Sequence, residues 1–195
     1  MRVGVLALQG DFIEHIHMLS GMGVEAVEIR LPAELNRLDG LIMPGGESTT
    51  IGKLAVAYDL IDPLRKFGQF KPIWGTCAGA ILLAREIHRP QPLLGLMDIV
   101  IARNAFGRQV DSFITPLNVP ALASPGEENP PFPAVFIRAP IIESVSGKAS
   151  VLASLPDGRI VAARQGHLLA TSFHPELTGD NRFHRYFTRM INGNK

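Results

Sequence analysis

Residues 3–8, Val-Gly-Val-Leu-Ala-Leu, form an apolar run without a polar residue on either face. A strand that alternates sides of a sheet with period two can carry such a run only if both of its faces are covered. Around it, short apolar runs alternate with amphipathic segments, the pattern of a parallel sheet flanked by helices. Asp11 can cap a helix, with Glu14 three residues on and Phe12, Ile16 and Leu19 on one face. Gly21 and Gly23 end that helix, and strands are predicted over 24–29 and 41–43. Helical segments follow over 50–57 and 63–67, a short strand over 72–74 and a helix over 80–87. After Pro90 the pattern becomes strand-rich, with strands over 97–102, 113–119, 135–137, 150–155, 160–163 and 168–173. Pro156-Asp157-Gly158 marks a hairpin between two of them. The stretch 120–133 has no periodicity and reads as an exposed loop. A helix over 183–191 closes the chain. With 195 residues and no credible linker, residues 1–195 read as one α/β domain, parallel at first and with antiparallel strands later.

Charge and cysteine count narrow the function classes. A net charge of +1 creates no field that would draw the chain to nucleic acid or to an anionic membrane. No apolar run reaches the roughly 18 residues of a membrane span, and the N-terminal run is too short for a signal peptide. The single cysteine excludes an internal disulfide, and no Cys/His set has zinc spacing. A cytoplasmic location without metal or cofactor is expected.

That cysteine sits in Gly75-Thr76-Cys77-Ala78-Gly79, between a predicted strand and a predicted helix. A tight strand–turn–helix needs small residues on both sides of a central nucleophile. At a helix N-terminus, free N–H groups stabilise a thiolate, and that of Ala78 can bind an oxyanion. A buried cysteine packing as a small hydrophobe fits the same five residues. Phe173-His174-Pro175-Glu176 supplies a possible partner. Pro175 keeps His174 out of helical geometry, and residues two apart on an extended segment face the same way. Glu176 can then orient His174, which serves as base and acid for Cys77. A solvated carboxylate at a strand end fits that segment alone. His15, His17, His88, His167 and His184 lack such spacing and read as surface or packing residues. In Pro44-Gly45-Gly46-Glu47-Ser48-Thr49-Thr50, the glycines free backbone N–H groups for a ligand. The following Gly52-Lys53 is not a phosphate loop: five residues separate Gly46 from Gly52, and Leu54 stands where magnesium would need a hydroxyl.

Together these motifs resemble, in their order, the triad-type (class I) glutamine amidotransferases. More narrowly, Leu-Ala-Leu-Gln-Gly-Asp at 6–11, the 44–50 loop, the cysteine elbow, Arg-Asn-Ala-Phe-Gly-Arg-Gln at 103–109, Phe-Ile-Arg-Ala-Pro at 136–140 and Ser-Phe-His-Pro-Glu-Leu at 172–177 are similar to the glutaminase subunits of pyridoxal 5′-phosphate synthases. The resemblance implies a three-layer flavodoxin-like or Rossmann-like fold and hydrolysis of glutamine to glutamate and ammonia. It assigns Cys77 as nucleophile, His174 as base and acid, Glu176 as orienter, and the N–H groups of Gly46 and Ala78 as oxyanion hole. Glutamine would be held by Gly46, Glu47, Ser48, Arg103, Ile137 and Arg138. The ammonia would pass to a (β/α)₈-barrel synthase subunit in a large hetero-oligomer, docked near Gln9 and the first helix, with His15 and His17 at that interface. Glutaminases of other synthases and a non-catalytic docking subunit are the alternatives. The chain departs from the resemblance at Ile114, where an acidic residue is usual, and in a longer, proline-richer 120–133 stretch.

Overall fold

The architecture is a curled α/β sheet with helices on both faces. The computed structural model describes residues 1–103 and 112–193. The first four strands, β1 (Arg2–Leu6), β2 (Glu25–Ile29), β3 (Gly40–Met43) and β4 (Ile73–Thr76), pair in parallel in the order β2-β1-β3-β4. The strand β12 (Leu168–Thr171) adds to β4, also in parallel. Beyond it the sheet turns antiparallel through β11 (Ile160–Gln165), β9 (Ile141–Val145) and β6 (Met97–Ala102). The edge strand β5 (Ala84–Ile87) runs parallel to β6, and β10 (Ser150–Ser154) forms the expected hairpin with β11. A separate ribbon pairs β7 (Ser112–Leu117) with β8 (Phe132–Ile137).

Period-two alternation divides the core between the two faces. Leu6, Leu41, Met43 and Ile73 point to one side, where α2 (Ser48–Ala57), α3 (Ile61–Phe70) and α4 (Ala78–Leu83) pack. Val3, Val5, Ile42 and Trp74 point to the other, against α1 (Phe12–Gly21) and α5 (Arg182–Gly193). Every residue of β3 and β4 is buried, as the unbroken apolar runs require. The helix α5 contributes Phe183, Phe187 and Ile191, which recur at helical spacing; the Phe183 ring meets those of Phe132, Phe173 and Trp74, and the Phe187 ring meets that of Trp74.

Two expectations need correction. The predicted helix over 80–87 ends at Leu83, and residues 84–87 form β5. The reason is local competition for carbonyls: Leu82 and Leu83 accept from the N–H groups of Leu94 and Leu96, so the helix cannot continue. The stretch 120–133 is only partly an exposed loop. A single 3₁₀ turn at Pro120–Leu122 buries Leu122, and Phe132 and Pro133 belong to β8. The exposed remainder is tied to α5. Arg182 donates to Asn129 and Pro130, Arg185 to Glu127, and Arg189 to Ala123. Strand β9 was not anticipated at all, because Glu143 and Ser144 interrupt its apolar pattern. Ile114 lies on β7 opposite Val135 and is 69% exposed.

A very close backbone contact joins the elbow to β3. A Cβ on Gly79 would sit 1.9 Å from the Met43 carbonyl oxygen, and one on Gly75 would sit 2.4 Å from Gly79's carbonyl carbon. Both obstacles are backbone and cannot swing aside. Gly79→Ala is therefore expected to lower unfolding free energy by about 3 kcal/mol. Gly21→Ala, at the open end of α1 with no atom within 4 Å, should change it by less than about 1 kcal/mol. Denaturant unfolding of the two variants measures the contrast.

Candidate active site

The chain passes from β4 into α4 through one residue, Cys77, at φ 46° and ψ −102°. That left-handed conformation is costly for a residue with a side chain and persists because both neighbours are fixed. The Cys77 N–H donates to Thr171 O on β12 at 2.8 Å, and the glycine contacts press α4 against β3. The elbow is thus held by the sheet on both sides, with the sulfur at the first turn of α4 and 7% exposure.

His174 follows β12, three residues beyond Thr171, so sheet pairing brings it beside the elbow. Its N–H donates to Val135 O of β8 at 2.8 Å. Its ring lies against Gly45, where a Cβ would come within 2.3 Å of Cε1. His174 Nδ1 is 2.7 Å from Glu176 Oε1 and 3.4 Å from Asp11 Oδ2, and Cys77 lies close enough to act on the same ring. Burial works against a charge on this imidazole. Hydrogen bonds with Asp11, Cys77 and Glu176 prevail and push its pKa up to about 12. Burial raises the Glu176 carboxyl above the ordinary range, against the pull of His174. The structure thus brings Cys77, His174 and Glu176 into one line. Such a line can activate a thiol and return a proton to a leaving group.

Asp11 does not cap α1 with its side chain. The hydrogen bond with His174 holds its carboxyl below the usual range and turns it toward the imidazole instead. Opposite lies the glycine loop. Glu47 caps α2 by accepting from the N–H groups of Thr49 and Thr50 and from the Thr50 hydroxyl. Slight burial opposes its ionisation, but these bonds bring its pKa to about 2. Arg103 Nη2 donates to Glu47 Oε1 at 3.1 Å, and Nη1 donates to Thr49 Oγ1 and Gln91 Oε1. Ser48 Oγ donates to the same Gln91 oxygen, and Gln9 Oε1 accepts from Glu47 N at 2.7 Å. Gln9, Gly46, Glu47, Ser48 and Arg103 are therefore joined around one loop. Ile137 and Arg138 are exposed at the end of β8, two and three residues past the carbonyl that accepts from His174. Residues 104–109 lie outside the described residues.

The two histidines expected at an interface separate. His17 is exposed on α1, whereas His15 is fully buried and cannot present its side chain to a partner. His15 instead reaches Glu176 Oε2 at 3.3 Å, Thr76 Oγ1 at 3.2 Å and His184 Nε2 at 3.0 Å. Asp11, His15 and His184 are the site's neighbours that sequence reasoning missed. Asp11 and His15 share the four-residue spacing of one helix face, a signal available but ambiguous. His15 and His184 are 169 residues apart, and no local pattern joins them.

An α/β fold with a cysteine on a strained strand–helix turn and a histidine–carboxylate pair beside it defines the class of elbow-type hydrolytic enzymes. The chain belongs to the SNO glutamine amidotransferase family, whose model matches residues 5–193. It is 62% identical over 192 residues to the pyridoxal 5′-phosphate synthase subunit PdxT of Herpetosiphon aurantiacus, covering 96% of this chain and 98% of that one. The subunit of the same name from Moorella thermoacetica is 56% identical over 193 residues, 98% of this chain and all of that one. A solved structure described as a glutamine amidotransferase matches with a TM-score of 0.90 at 49% identity, over 97% of this chain and 98% of that chain. PurLQS from Thermotoga maritima matches at TM-score 0.72 and 19% identity, over 100% and 99% of the two chains, a likeness of fold alone. Among the described residues no helix is long and apolar enough to cross a membrane.

The buried histidines give the site an acid-sensitive foundation. Burial lowers the pKa of His184 to about 3, and burial and the neighbouring His184 and His174 lower that of His15 well below 6.5. A lowered histidine pKa contributes stability that is complete above the unfolded value of about 6.5 and is lost as pH falls toward the folded value. Unfolding free energy should therefore decline between pH 6.5 and 4. In His184→Phe that decline should flatten by up to about 1.4 kcal/mol per pH unit. Urea titrations at stepped pH measure the slope.

Proposed function

We propose that this chain hydrolyses L-glutamine to L-glutamate and ammonia and delivers the ammonia to a synthase subunit that makes pyridoxal 5′-phosphate. The observation that carries the reading is the alignment of Cys77, His174 and Glu176, with a 2.7 Å Nδ1···Oε1 contact between the last two. The names of relatives 54–62% identical over nearly the whole chain support the assignment to that synthase.

Cys77 Sγ attacks the side-chain amide carbon of glutamine, while Glu176 holds the His174 imidazolium through Nδ1. Negative charge develops on the amide oxygen, which the backbone N–H groups of Gly46 and Ala78 stabilise. The C–N bond breaks as His174 gives its proton to the departing nitrogen, leaving ammonia and a glutamyl thioester. His174, now neutral, takes a proton from water; the hydroxide displaces Cys77 and releases glutamate. Glu47, Ser48, Arg103, Ile137 and Arg138 bind the substrate. An arginine fork suits its α-carboxylate, so Arg103 would exchange part of its Glu47 pairing for the ligand. The partner is a (β/α)₈-barrel subunit in a large hetero-oligomer, and Gln9 and the exposed His17 face belong to the docking side. The whole of residues 1–195 acts as one glutaminase domain, in the cytoplasm, with no metal or cofactor.

Ammonia and glutamate release should rise strongly when the pyridoxal 5′-phosphate synthase partner is added. Cys77→Ala should cut it by at least about 10³-fold while glutamine still binds. Full turnover in Cys77→Ala would end the proposal. Turnover indifferent to the partner would reassign the chain to another amidotransferase.

A further inference from the structure

Behind the Cys77–His174–Glu176 line lies a second row of buried polar groups that the reaction scheme leaves unused. Glu176 uses Oε1 for His174, and its Oε2 is fully buried without a hydrogen bond among the described residues. What faces Oε2 is His15 Nε2, at 3.3 Å, with both side chains fully buried. The other ring nitrogen of His15 is 3.0 Å from His184 Nε2, and His184 Nδ1 is buried without a partner.

Each ring can be protonated on either nitrogen, and the two possible arrangements differ in what they leave unpaired. If His15 carried its proton on Nδ1, it would donate to His184 Nε2 and force the His184 proton onto Nδ1. That choice buries a donor with no acceptor and turns a lone pair of His15 toward the carboxylate. In the opposite arrangement His184 Nε2–H donates to His15 Nδ1, and His15 Nε2–H donates to Thr76 Oγ1 while its dipole faces Glu176 Oε2 3.3 Å away. The unpaired atom is then only an acceptor, and an N–H dipole faces the carboxylate. A buried orphan donor is the rarer and costlier state, and a lone pair facing a carboxylate is repulsive. Burial keeps both rings neutral, so each supplies one N–H.

We propose that His15, oriented by His184, is a positioning residue that holds Glu176 from behind through its Nε2–H and so fixes the carboxylate that orients His174. The proposal rests on the glutaminase reading for its effect on rate, but its geometry is separable from that reading. The site fits this role for a structural reason as well. Asp11, immediately before α1, and His15, in its first turn, approach the His174–Glu176 pair together, at 3.4 and 3.3 Å. The helix therefore contributes to the orientation of both members.

Two variants of nearly equal polarity separate positioning from packing. His15→Gln can place an amide N–H where Nε2 stands; His15→Asn reaches only as far as Nδ1 and can satisfy His184 but not Glu176. In the complex with the synthase partner, His15→Asn should lower kcat for ammonia release by about tenfold or more with KM little changed. His15→Gln should recover most of that loss. Equal loss in both variants, or a change confined to KM, would overturn the proposal. Circular dichroism and melting curves show that each variant is folded before its rate is read. The ring protonation is measured separately on the wild-type chain by long-range ¹⁵N–¹H correlation near pH 7. His15 and His184 should both be protonated on Nε2, and an Nδ1–H at His15 would overturn the proposal whatever the activity. A wild-type chain that releases no ammonia with its partner would defeat the glutaminase reading, while the tautomer measurement would still decide the role of His15.

Discussion

Burying a carboxylate together with a charged imidazole is the constraint on which the rest of this structure depends. His174 and Glu176 are 3% and 5% exposed, and such groups persist in an interior only when paired and hydrogen-bonded. Their surroundings hold the pair from four parts of the chain: the segment after β12 that carries both residues, the elbow with Cys77, Asp11 and His15 at the start of α1, and β8, whose Val135 carbonyl accepts from the His174 backbone. Removing one member of the pair leaves a buried charge uncompensated. The pair therefore acts as a test of correct assembly, since the sheet, α1 and the ribbon must all be in place before it is stable.

The sheet order explains how a linear chain meets that demand. Because β12 inserts beside β4, residues near the C-terminus lie next to residues near position 77. Small residues then let the layers close to the needed distances. Gly79 against Met43 and Gly45 against the His174 ring are contacts that a methyl group would prevent. The strained φ of Cys77 is maintained by the same contacts, so strain, close packing and reactivity share one cause.

Much of this was legible in the sequence because the governing signals are local. The apolar run at 3–8 and the glycines flanking Cys77 each act over a few residues, and the structure places them as their spacing suggests. His174 and Glu176 meet as expected, but across a 3₁₀ turn over Pro175–Leu177 and not along the extended segment that the sequence predicts. What was not legible depends on contacts between distant segments. The helix predicted through Ile87 stops at Leu83 because residues 94 and 96 capture its carbonyls. Asp11 satisfies every local rule for a helix cap and instead serves His174. His15 lacks a local partner, since His184, Thr76 and Glu176 reach it only through the folded sheet. The exposed look of residues 120–133 misled for a related reason: the arginines that hold them lie on α5.

The central claim is that Cys77 is the nucleophile of a site shaped for glutamine. Incubation with a glutamine analogue carrying a diazoketone in place of the amide, followed by peptide mass mapping, addresses it in one step. The account predicts a single adduct on Cys77 whose formation is slowed by added glutamine. An unmodified Cys77, or labelling that glutamine does not slow, would contradict it.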